Sequence, residues 1–114
     1  MAHFSFEQAQ DVLPEVRRLT AEAVQSVESF VERANLEQNQ ELREEIGHQI
    51  RDAIEKWANA VIALGAEVKG LWLVDFDSGE GYYCWKHPEE SLEYFHTYED
   101  GFAGRRLIAP TVLH

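Results

Sequence analysis

Two long apolar stripes of helical period, separated by a short polar link, limit what this chain can fold into more than any other feature. The first runs through Val16, Leu19, Ala23, Val27, Phe30 and Ala34 in steps of three and four; the second runs through Leu42, Ile46, Ile50, Ile54, Trp57, Val61 and Leu64. That spacing places each set on one face of a helix. Residues 35–40 between them are polar and carry no apolar period, so two antiparallel helices joined by a tight link are expected.

The ends of these helices are also written in the sequence. Ser5 followed three residues later by Gln8 forms a capping box, with Phe4 placed to staple the entry. Gly65 follows the last stripe residue, where a left-handed cap is expected. Pro14 removes a backbone donor and disfavours helical geometry at Leu13, which predicts a break or bend there.

From residue 66 the pattern changes to short apolar runs bounded by turn residues, and three strands are expected at 71–76, 82–86 and 91–96. Asp77, Ser78 and Gly79 mark one turn, and Pro88 with Glu89 and Glu90 marks the next. The reading is an α+β fold: a long antiparallel helical hairpin packed beside a three-stranded antiparallel sheet, with the GFAGRR loop over one sheet face. At 114 residues and 45% hydrophobic content, one core and one domain are expected, with the hairpin at about 6–65, the β-rich part at about 66–108 and a tail at 109–114.

Alternation within the first strand sets Trp72, Val74 and Phe76 on one side and Leu71, Leu73 and Asp75 on the other. Asp75 therefore needs a partner, because a buried carboxylate is costly unless it is paired or neutralised. Arg105 and Arg106, after the Gly101-Phe102-Ala103-Gly104 loop, are the expected ones. The pairing reads either as a structural clamp or as part of a polar ligand site. His96 alternates with Leu92 and Tyr94, as a core histidine or as an acid-base group. Cys84 reads as a small buried hydrophobe whose nucleophilic use would need a pKa lowered by a neighbouring cation or by His96. Asp75, Cys84, His87, Glu89 and His96 are all metal-ligand types, yet none has the close CxxC or HxxxH spacing of a zinc site, so no metal is expected. Gly101 and Gly104 match no phosphate-binding motif, although a backbone nest beside two arginines would suit an anion.

The net charge of −11 disfavours nucleic acid and anionic lipid as partners. No run is long enough to span a bilayer, no basic-then-apolar leader opens the chain, and the single cysteine agrees with a reducing compartment, so a cytoplasmic protein is expected. A helical hairpin longer than the sheet leaves an end for a partner, and a homodimer through the helices is expected.

The segments Ser5-Phe6-Glu7-Gln8-Ala9, Leu13-Pro14-Glu15-Val16-Arg17, Leu73-Val74-Asp75-Phe76, Cys84-Trp85, Phe95-His96 and Gly101-Phe102-Ala103-Gly104-Arg105 resemble, in this order, the uncharacterised bacterial family known as domain of unknown function 2203. The resemblance implies the motif positions and a shared fold, and it implies no reaction or cofactor. Two functions stay open at this point. One is a binding or assembly module with a small polar pocket formed by Asp75, Cys84, His96 and Arg105, open to a small anionic ligand. The other is a small enzyme, or a metal-binding protein, using the same residues, with His96 as acid or base and Arg105 orienting an anionic substrate.

Overall fold

The computed structural model describes residues 3–108; the tail at 109–114 lies outside them. Helix α1 spans Phe6–Leu36 and helix α2 spans Gln40–Ala63. The capping box forms as the sequence predicts: the Gln8 amide donates to Ser5 Oγ at 3.1 Å and the Ser5 amide donates to Gln8 Oε1 at 2.9 Å. Asn39 caps α2 by accepting from the Leu42 amide at 3.1 Å, and Gly65 takes the left-handed conformation at φ 96°.

The break predicted at Leu13 does not occur, and α1 runs through Pro14. The ring points to solvent, while the flanking Leu13 and Val16 are buried against the rest of the core. Burial of two large aliphatic side chains is worth about 1.5–3 kcal/mol each, enough to hold a helix across a proline that costs it roughly 3 kcal/mol.

One buried hydrogen-bond chain ties the helices together. Trp57 Nε1–H donates to Thr20 Oγ1 at 2.8 Å, and the Thr20 hydroxyl donates to the Val16 carbonyl at 2.7 Å. Both side chains thereby satisfy their polar atoms inside an apolar contact.

The sheet has five strands, not three: β1 Glu67–Gly70, β2 Leu73–Asp77, β3 Tyr82–Lys86, β4 Tyr94–His96 and β5 Arg106–Leu107, all antiparallel in sequence order. The two extra strands are the edges, and they are too short to display a period of two. The strand expected at 71–76 begins at Leu73 because Leu71 and Trp72 form the β1–β2 turn, with Trp72 at φ 60°. A left-handed tryptophan costs on the order of 1–2 kcal/mol. Its edge-on contact with Trp57, ring centroids 4.8 Å apart, offsets most of that. The strand expected at 91–96 is reduced to its last three residues.

Register decides the two faces, since directly opposed residues share a side. Val74 opposes Trp85 and Phe76 opposes Tyr83, and this face packs on the helices together with Leu13, Val16, Trp57 and Val61. Asp75 opposes Cys84, Tyr82 opposes His96 and Cys84 opposes Tyr94, on the face turned away from the helices.

Candidate functional site

The helix-free face of the sheet would be expected to meet water, yet its centre is dry. Asp75 on β2, Cys84 on β3 and His96 on β4 are 1%, 0% and 3% exposed. Three neighbouring strands each contribute one inward position, and their ligand-type atoms all lie within 4.8 Å of one another. What covers them is the chain after β4, which turns through the short 3-10 helix Phe102–Gly104 and returns as β5. Gly101 enters that turn at φ 66° and ψ −167°, a conformation open essentially to glycine alone.

His96 holds the cluster together. Its Nε2 lies 2.8 Å from Asp75 Oδ2 and its Nδ1 lies 2.7 Å from the Thr97 carbonyl. The second carboxylate oxygen, Asp75 Oδ1, is buried and makes no well-formed hydrogen bond among the described residues, although the Cys84 thiol, a weak donor, stands beside the carboxyl. Loss of solvation pushes the Asp75 carboxyl above its ordinary value, with His96 pulling it back in part. The same loss, followed by the adjacent Asp75, pushes the Cys84 thiol up to about 12. In this surrounding Cys84 is a thiol, not a ready nucleophile.

Arg105 does not pair with Asp75, contrary to the expectation from sequence. Its guanidinium makes a two-pronged ion pair with Glu89, Nη1 to Oε1 at 3.1 Å and Nη2 to Oε2 at 2.6 Å, and lies over the rings of Tyr94 and Phe102 at 3.9 and 4.3 Å. One edge still reaches inward, with Nη1 4.0 Å from Cys84 Sγ. Arg105 thus fastens the covering turn to the sheet, a task that a fork-shaped cation performs and a lysine does not. Arg106 opposes Phe95 on the other face and is exposed, so it stands outside the cluster.

A pocket of about 270 Å³ opens beside the cluster, lined by Asp75 and His96 at its floor and by Lys69, Leu73, Tyr82, Tyr98, Gly101 and Phe102 around them. Its rim is built from paired polar groups: Tyr82 donates to Glu67 Oε1 at 3.1 Å, Lys69 lies 3.0 Å from the same carboxylate, and Tyr98 donates to Asp77 Oδ1 at 2.6 Å. A second cleft, about 160 Å³ between the two helices, is lined by Leu19, Ala23, Ala53, Trp57 and Ala60 with Lys56 and Glu22 at its border. It brings no comparable set of convergent polar groups together.

The motif residues Cys84, His96 and Gly101 to Arg105 therefore surround one buried cluster, and the model of the family described as Uncharacterized conserved protein (DUF2203) matches residues 2–108. The chain belongs to this family. No curated protein and no solved structure matches it.

In this DUF2203 chain, three of the five residues singled out from sequence, Asp75, Cys84 and His96, come together; Arg105 borders them and Arg106 does not join. Of the remaining metal-ligand types, Glu89 is taken by Arg105, and His87 sits beside Trp85 with ring centroids 6.3 Å apart. Sequence reasoning missed Lys69, Tyr82, Tyr98 and Phe102. Tyr82 was within reach, because it alternates with Cys84. Lys69 was not, since the edge strand that carries it leaves no periodic signal.

Proposed function

We propose that this protein is a binding module that holds a small ligand in the pocket between the helix-free face of its sheet and the turn at 101–104. The observation that carries the reading is Asp75 Oδ1, a buried carboxylate oxygen that makes no well-formed hydrogen bond among the described residues and belongs to a side chain lining a pocket. Leaving such a group unsatisfied costs roughly 1–3 kcal/mol or more for a charged group, and a fold bears that cost where a ligand supplies the missing contact. A catalytic reading is less well supported, because burial and the adjacent Asp75 push the Cys84 thiol up, away from the thiolate form that a nucleophile needs. An anion is also a poorer fit than the sequence suggests. Glu89 neutralises Arg105, and the cation that lines the pocket, Lys69, is engaged by Glu67.

A thermal-shift screen of the full chain against small metabolites and divalent metal ions tests the proposal. A bound ligand at about 100 times its Kd adds about 2.7 kcal/mol of stability, so at least one compound should raise the Tm of the wild type and leave Asp75→Asn unmoved. A panel that moves neither protein, or moves both equally, contradicts it.

We further propose a homodimer through the free end of the hairpin, in a bacterial cytoplasm. The molecule is 55 Å long and 24 Å wide, and Val31, Leu36 and Leu42 near the helix link are 42%, 78% and 51% exposed. The net charge of −11 supports no nucleic-acid partner. Among the described residues, no helix is long and apolar enough to cross a membrane.

A further inference from the structure

We infer that Asp75, Cys84 and His96 form a binding site for one divalent transition-metal ion of the zinc type, with its open coordination position facing the pocket. The inference deepens the pocket reading and rests on it. The argument begins with the proton of His96. Thr97 O can only accept, so at 2.7 Å it fixes a hydrogen on Nδ1. A neutral ring then turns a bare Nε2 lone pair toward Asp75 Oδ2, 2.8 Å away, and the carboxylate offers only lone pairs in return. Two acceptors held that close require a cation between or beside them, either a proton or a metal ion.

Two further observations favour the metal. A shared proton satisfies Nε2 and Oδ2 but leaves Oδ1, buried and without a well-formed hydrogen bond among the described residues, dependent on the weak S–H donor of Cys84. An ion draws a nitrogen, a sulfur and a carboxylate oxygen onto one centre. The tautomer is also the right one, because a histidine that donates Nδ1–H to a backbone carbonyl presents Nε2 as a metal ligand with its orientation fixed. Zinc bonds of about 2.0–2.3 Å in a tetrahedral arrangement set donor atoms roughly 3.3–3.7 Å apart. The Nε2–Oδ2 contact is shorter than this, while no pair of donor atoms exceeds 4.8 Å, so modest side-chain rotation brings the set into range.

The donor set names the class of ion. One nitrogen, one sulfur and one oxygen suit zinc, cobalt or nickel, whereas magnesium and calcium take oxygen ligands. A thiolate and a carboxylate with a divalent ion sum to zero charge, which suits burial. Arg105 Nη1, 4.0 Å from Sγ, stands where a donor to the bound thiolate is useful. Three protein ligands leave the fourth position free, as at sites where metal also binds a water or a small molecule.

Cobalt(II) titrated into the reduced, chelator-stripped full-length protein tests the site. Expected are the strong visible bands of tetrahedral cobalt together with a near-ultraviolet thiolate-to-cobalt charge-transfer band, saturating at one equivalent. Since Cys84 is the sole cysteine, that band in the wild type reports the site without any variant. In Cys84→Ser the band disappears, and in His96→Ala affinity falls at least tenfold, with far-ultraviolet circular dichroism confirming that each variant is folded. A spectrum of hydrated octahedral cobalt alone, or bands unchanged in folded Cys84→Ser, overturns the inference. If cobalt fails while an organic compound still stabilises the wild type and not Asp75→Asn, the metal is wrong and the pocket stands; if both fail, both readings fall.

Discussion

At the scale of single residues, the two buried aspartates of β2 have opposite electrostatic fates. Asp75 is raised by burial, whereas Asp77 accepts from the Tyr98 hydroxyl and from the Gly79 amide at 2.8 Å, and these bonds hold its carboxyl below the ordinary value of 3.8. A lowered folded-state pKa contributes stability that is present above the unfolded value and is lost as pH falls through the folded one. Tyr98→Phe should therefore raise the Asp77 pKa in a carbon-detected NMR titration. It should also be less stable than wild type at neutral pH, by a margin that shrinks in acid once Asp77 is protonated in both proteins. An unchanged Asp77 titration would contradict the assignment. The placement of Asp75 on the face opposite Val74 and Phe76 was legible because alternation in a strand is rigid. The partner of Arg105 was not, since Glu89 lies in a turn whose path no periodicity encodes.

At the scale of elements, length decided what could be read. Helices of 31 and 24 residues repeat their stripe many times, and their ends carry side-chain caps, so both were evident in the sequence. Strands of four and two residues, such as β1 and β5, show no repeat, and they exist because neighbouring strands need their edges paired. Pro14 shows the opposite error, a strong local signal overruled by packing. Its ring is exposed and its missing hydrogen bond is a net cost, so Pro14→Ala should stabilise the protein by up to about 3 kcal/mol in urea unfolding. Destabilisation would mean that the proline positions α1 against the sheet.

At the scale of the whole molecule, the fold divides its labour between two faces of one sheet. The helices cover one face and supply the core; a short turn locked by Arg105 and Glu89 covers the other and encloses Asp75, Cys84 and His96. The helical hairpin runs on past the sheet and leaves its apolar tip uncovered. Native mass spectrometry of the untagged protein, before and after denaturation, examines both consequences in one spectrum. The expected result is a dimer that carries one additional mass per chain, released on denaturation and missing from folded His96→Ala. A bare chain that takes up nothing when zinc is supplied, or an added mass that persists in His96→Ala, would contradict a ligand site built on these three strands.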